Sequence, residues 1–168
     1  MQQILILIGI SGSGKSTVAR QFVQANPTYL RLSRDELRRS LLTVPLSAYW
    51  AWERAAKNRI EPLVTTLFDT AVRAALVGNW NLLLDNTHLQ HTYLTDLLAQ
   101  AEACATPARP ITVAYQLIDT PLPTAINRDR HRPDAVGEAV IREQHTRLQT
   151  LKKQIDLRQK ITFPRAPI

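Results

Sequence analysis

The run GISGSGKS places Gly9, Gly14, Lys15 and Ser16 at the GxxxxGK[ST] spacing of a phosphate-binding (Walker A) loop. Each residue type has a task at this spacing. Glycines let backbone N–H groups close around phosphate oxygens, and the N-terminus of the helix that follows adds positive potential. Lys15 can reach the β and γ oxygens of a nucleoside triphosphate, and the Ser16 hydroxyl can ligate Mg²⁺. The expected contact set is Gly9, Ser11, Gly12, Ser13, Gly14, Lys15, Ser16 and Thr17, with ATP as donor and Mg²⁺ as the ion. A chance Gly/Ser turn is the alternative. An apolar strand pattern before the run and a helical pattern carrying Val18, Phe22 and Val23 after it favour the loop.

Three further clusters could complete a reaction centre. Ser33-Arg34-Asp35-Glu36-Leu37-Arg38 puts Asp35 in the first turn of a helix and Arg38 one turn later on the same face. A carboxylate there can orient a hydroxyl and take its proton, and the guanidinium can hold an anionic acceptor; ordinary helix electrostatics is the competing reading. Asp85 ends a third apolar run, where Walker B carboxylates lie, or else it caps the helix starting near Gln90. The run Arg128-Asp129-Arg130-His131-Arg132-Pro133 suits a lid over a triphosphate, with a solvated basic turn as its alternative. Tyr49, Trp50 and Trp52 ahead of Arg54, Lys57 and Arg59 could stack bases, although core packing is the commoner use of such aromatics. His88 and His91 lack metal-ligand partners at useful spacing and read as loop histidines.

Positioning these groups requires strands whose ends converge. Apolar runs fit buried strands at Ile4–Ile8, Tyr29–Leu32, Leu82–Leu84 and Ile111–Ile118, with helical patterns between them. The expected fold is therefore α/β: a three-layer α/β/α P-loop NTPase domain on a mostly parallel four- or five-stranded sheet. Ser33 with Glu36 reads as a capping box, Thr120 and Pro121 as cap and first turn, and Gly78 as a helix end. Pro62 should kink or split the helical region Ser47–Val77. A kinase domain is expected over residues 1–151, with a lid near 128–137 and a basic, partly ordered tail over 152–168 that contains Pro164 and Pro167.

The net charge of +7 favours polyanions and phosphates as partners. Met1 to Ile10 leads directly into the Gly/Ser loop and reads as a first strand, not a leader, and no apolar run is long enough to span a bilayer. With the lone Cys104, these features imply a cytoplasmic setting.

Four segments, GISGSGKST, NPTYLRLSRDELRRS, LLLDNTH and RDRHRPDAVGEAVI, together resemble the kinase domain of bacteriophage and bacterial 5′-polynucleotide kinases, over most of Met1 to about Leu151. The resemblance implies that Asp35 is the general base on the acceptor 5′-hydroxyl, that Arg38 contacts the acceptor's 3′-phosphate, and that Asp85 lines the acceptor site. It also implies that Arg132 engages the donor phosphates, with Arg128 a second lid contact and Arg130 an alternative alignment. Val136-Gly137 departs from the Val-Pro often seen in relatives, and the phosphatase motif DxDxT of two-domain relatives is absent. The implied catalytic set is Asp35, Lys15 and Arg132, acting on nucleic-acid 5′ ends. A small-molecule kinase of the same fold and a nucleotide-gated binding protein remain as alternatives.

Overall fold

The computed structural model describes residues 1–163 of the chain; Pro164 and Pro167 of the expected tail lie outside the described residues. Strand β1 (Gln2–Ile8) is apolar on both sides because it sits inside a parallel sheet covered on both faces. Ile4, Ile6 and Ile8 point to one face and Leu5 and Leu7 to the other, following the period of two. The phosphate loop leads into α1 (Lys15–Ala25), which packs Ala19, Phe22 and Val23 on Leu7 and Leu83. The chain then forms β2 (Tyr29–Leu32), α2 (Arg34–Leu41), α3 (Leu46–Trp50) and α4 (Arg54–Val77). It continues with β3 (Asn81–Asp85), α5 (His91–Cys104), β4 (Ile111–Leu117), α6 (Leu122–Arg130), α7 (Glu138–Gln154) and β5 (Lys160–Phe163).

The five strands lie in the order β2-β3-β1-β4-β5. β1 pairs in parallel with β3 and β4, and β3 with β2, so the C-terminal ends of four strands meet on one edge. The opposite face from α1 buries Phe68, Val72 and Leu76 of α4, Leu94 and Leu97 of α5, and Ile141 and Leu148 of α7 against Ile4, Ile6, Leu82, Leu84 and Val113. This is the expected three-layer arrangement. β5 is the exception in direction: it runs antiparallel to β4, with Ile111 opposite the fully buried Phe163. Part of the segment expected as a tail is thus an edge strand.

Two local expectations change. Pro62 neither splits nor ends its helix, because α4 runs unbroken through it. The carbonyl it leaves unpaired belongs to Asn58, an exposed residue whose oxygen water can satisfy. The break in the 47–77 region falls instead at Ala51–Glu53, between α3 and α4. Ser33 does occupy the N-cap position of α2, but its side chain makes no cap hydrogen bond. The Arg34 N–H donates to Asn86 Oδ1 at 2.8 Å instead, so a residue beyond the end of β3 caps this helix from across the sheet edge. Thr120 lies one position before the N-cap Pro121, and its hydroxyl donates to Ser13 O at 2.9 Å. No described helix is long and apolar enough to cross a membrane.

Candidate active site

The phosphate loop closes tightly on α6. Gly12 has φ +75°, and a Cβ there would lie 2.2 Å from Ala125 O, so only glycine fits. Gly14 has φ +99° at the N-cap of α1. Lys15 is buried, and its Nζ donates to Ile10 O at 2.7 Å. Burial pulls its pKa down to about 8 with help from Arg132, against the opposing pull of Asp85 and Asp35. The ammonium therefore stays charged at neutral pH and lies within the field of both carboxylates and of Arg132.

Ser16 Oγ donates to Asp85 Oδ1 at 3.2 Å. Oδ2 of Asp85 accepts from Arg31 Nε at 2.9 Å and Nη2 at 2.7 Å. The buried Asp85 is thus clamped on one oxygen and faces the Ser16 hydroxyl with the other. A loop hydroxyl beside a strand-end carboxylate is the hard-oxygen donor set that Mg²⁺ takes in phosphate-loop enzymes, and these two residues fit it. The side-chain contacts of Asp85 are thus with the phosphate loop and β2, beside the acceptor-lining role that the resemblance implies for it.

Two cavities open along the sheet edge. One, of about 400 Å³, is lined by Gly14, Lys15, Ser16, Arg31, Arg128 and Arg132. The other, of about 450 Å³, is lined by Arg34, Arg38, Trp50, Glu61, His88 and Val136 among others. Among the described residues, Asp35 alone lines both. The first turn of α2 therefore forms a partition whose carboxylate is reachable from either side.

The second cavity is electrostatically organised. Arg38 Nε and Nη2 grip Glu61 at 2.8 and 2.7 Å, and Nη1 donates to Asp35 Oδ1 at 2.7 Å. The guanidinium lies 5.1 Å from the Trp50 ring centre. Tyr49, fully buried, donates its hydroxyl to Glu61 Oε1. Burial works to raise the Glu61 pKa, but hydrogen bonds from Arg38 and Tyr49 outweigh it and bring it down to about 2. Five guanidinium N–H groups less three in use leaves Arg38 two for a ligand. Arg34 Nη2 donates to Thr65 Oγ1 at 2.6 Å, and its guanidinium lies over the rings of Phe68 and Tyr93. His88 Nδ1 donates to Leu7 O at 2.8 Å. Burial drives its pKa to about 4 despite that bond, so the ring is neutral and Nε2 carries no proton.

The arginine segment separates into two roles by position. Arg128, inside α6, donates from Nη1 to Ser13 O at 3.4 Å, and Arg132 reaches the first cavity from beyond the helix end. Arg130 turns away to pair with Glu138 at 2.7 Å and lines neither cavity, which favours the Arg128/Arg132 alignment. Buried Asp129 accepts the N–H groups of Val136 and Gly137 at 3.1 and 3.0 Å and closes the intervening loop.

The structure thus brings together Lys15, Ser16, Asp35, Arg128 and Arg132 around one cavity, and Asp35 with Arg38 around the other. Sequence reasoning missed Arg31, Arg34, Glu61 and Asn86. It also read Trp50 and His88 too blandly: Trp50 walls the second cavity while Tyr49 fills the core, and His88 is a buried lining residue at φ +49°.

A glycine-rich loop between β1 and α1, on a mostly parallel sheet of this order, defines a P-loop α/β nucleotide-binding domain. The chain belongs to the AAA-domain family, whose model matches residues 4–151. It is 30% identical over 138 residues to a protein of Autographa californica nuclear polyhedrosis virus provisionally named a bifunctional polynucleotide kinase/RNA ligase; the match takes in 79% of the chain and 18% of the viral protein. Among solved structures it is similar to a chain of the Pnkp1/Rnl/Hen1 RNA repair complex, with a TM-score of 0.73 and 24% identity over 98% of this chain and 49% of that one. A gluconokinase from Sinorhizobium meliloti 1021 shares the fold at a TM-score of 0.53 and 16% identity, over 87% of this chain and 74% of that one. The chain therefore spans less than half the length of the viral relative and of the RNA repair complex chain that it matches.

Proposed function

We propose that the chain transfers the γ-phosphoryl group of ATP to the 5′-hydroxyl of a DNA or RNA end, as a kinase unit over residues 1–151 with a lid over 128–137. The observation that carries this reading is Asp35 as the shared wall of two cavities, one built on the phosphate loop and the other on Arg38. ATP lies in the first cavity, its phosphates on the loop N–H groups and Lys15, with Arg128 and Arg132 against the γ-phosphoryl. Ser16, backed by Asp85, would hold Mg²⁺, which would supply positive charge against that of the triphosphate. The acceptor lies in the second, where the two remaining N–H groups of Arg38 take the phosphate 3′ to the first nucleoside. Asp35 orients the 5′-hydroxyl and accepts its proton while that oxygen attacks γ-phosphorus in line and the bond to the ADP oxygen breaks. The polynucleotide kinase/RNA ligase name of the viral relative supports the choice of acceptor.

A transfer assay with labelled ATP against 5′-hydroxyl oligonucleotides, nucleosides and gluconate tests the assignment. Label should appear on the oligonucleotides. Transfer to a metabolite alcohol with none to oligonucleotides would replace this reading with a small-molecule kinase.

A further inference from the structure

Side chains of alternating charge run from the strand-end carboxylate to the lid. Asp85 pairs with Arg31 at 2.7 Å, Arg31 with Glu36 at 3.3 Å, Glu36 with Arg39 at 3.1 Å, Arg39 with Asp134 at 2.6 Å, and Asp134 with Arg132 at 2.8 Å. Glu36 and Arg39 lie one turn apart on α2, the helix that also carries Asp35 and Arg38. Asp134 is the joint in this series: its carboxylate accepts from Arg132 Nε and Nη2 and from Arg39 Nη2. Burial raises its pKa, and the paired arginines more than reverse this, so it is ionised at neutral pH and can hold both cations.

We infer that Arg39 is a positioning residue for donor binding, acting through Asp134 to hold Arg132 over the phosphate loop. This rests on the proposed kinase reading, in which Arg132 meets the donor phosphates. Nε and one Nη2 hydrogen of Arg132 go to Asp134, which fixes the plane of the guanidinium and leaves three N–H groups on a residue that lines the same cavity as Lys15. Arg132 is near enough to Lys15 to depress its pKa. Without Arg39, Asp134 loses its tether to α2, and the loop carrying Arg132 keeps its ties to α6 and the packing of Val136 on the core but no ion pair from Asp134 to α2. The side chains of Arg39 and Arg132 are 43% and 37% exposed, so each pair adds little to global stability, and the effect belongs to the lid and not to the fold.

The test uses the full chain and four variants: Arg39→Ala, Arg39→Lys, Asp134→Ala and the double alanine. Affinity for a fluorescent ATP analogue with Mg²⁺, limited trypsin cleavage in the 128–137 segment, and kcat and KM for ATP and oligonucleotide are measured for each. Arg39→Ala should weaken ATP about fivefold, the factor that corresponds to about 1 kcal/mol of lost coupling, and should speed cleavage in the segment, with KM for the oligonucleotide unchanged. The double variant should be no worse than Asp134→Ala, because both remove one connection. Arg39→Lys should recover most of the affinity, since a single contact to Asp134 Oδ2 suffices. Unchanged ATP affinity and cleavage in Arg39→Ala, or additive effects in the double variant, would overturn the inference. If the wild type phosphorylates no oligonucleotide, the polynucleotide assignment fails while ATP affinity and cleavage still decide the role of Arg39.

Discussion

Replacing Arg38 by alanine tests the acceptor half of the site most sharply, because the structure divides its effect into two separable parts. Two guanidinium N–H groups are free of Glu61 and Asp35. A phosphate that takes both gains charge-assisted bonds of about 1.5 to 3 kcal/mol each, so about 3 kcal/mol is a conservative figure for the pair, or roughly 150-fold in kcat/KM. A nucleoside 3′-monophosphate should exceed the plain nucleoside as acceptor by about that factor in the wild type, and Arg38→Ala should erase the preference. The second part falls on both acceptors alike. Glu61, held near pKa 2 by Arg38 and Tyr49, loses its cation, and Asp35 loses a donor. With Glu61 one-third exposed, roughly 1 to 2 kcal/mol of stability should go with it, about 2 to 8 °C in Tm. Arg38→Lys should regain only part of the preference, since an ammonium cannot hold Glu61 in a fork and still reach a phosphate. The assay is kcat/KM for the two acceptors in the three proteins, with Tm recorded alongside. Equal use of both acceptors by the wild type would refute the phosphate contact and the polynucleotide reading with it.

Asp35→Asn should keep ATP affinity near wild type and lower kcat by about a hundredfold or more; collapse of ATP binding would move Asp35 to the donor side. Arg31→Ala should raise the Mg²⁺ concentration needed for tight binding of the ATP analogue, because Asp85 is no longer clamped on Oδ2; a Mg²⁺ titration unchanged from wild type would refute that role. Glu61→Gln should lower Tm relative to wild type above about pH 4.5. That difference should vanish as pH falls toward about 2, since a depressed carboxyl pKa lends stability only where the group is ionised; a pH-independent gap would point to packing instead. Raising salt from low to high should weaken oligonucleotide binding in proportion to the phosphates contacted, and a flat response would argue for a neutral acceptor.

The phosphate loop, Asp35 with Arg38, and four of the strands were legible because each is written locally, as a spacing or a period within a short window. The missing parts are those whose partners lie far along the chain. Glu61 reads as one acidic residue in a long helix, and only the packing of α4 against α2 brings it to Arg38, 23 positions away. Arg31 lies in a strand where its charge looks like ordinary surface decoration until β3 delivers Asp85 beside it. Asn86 could not be seen as the cap of α2 from a sequence in which Ser33 stood in the expected place. β5 has too little apolar character to announce itself and exists because β4 offers it an edge. Arg130 and Arg132 carry the same charge in one short run, and only the end of α6 sends one outward and the other into the cavity.

The backbone contact of Gly12 with Ala125 has a mechanical consequence. The phosphate loop and α6 touch without any side chain between them, and Thr120 and Arg128 bolt the same stretch to Ser13. These parts form one rigid anvil. Were the first cavity to open, the bend would fall after α6, within residues 131–137, a segment whose far end the Gly137 N–H ties back to Asp129 in the helix. Arg128 is set by the phosphate loop itself and belongs to the anvil. Arg132 lies beyond the helix end and is set by Asp134 and, through it, by α2. On the proposed kinase reading, the two arginines, four positions apart, would thus take their places from different parts of the fold, one from the loop that meets the nucleotide and the other from the helix that carries Asp35.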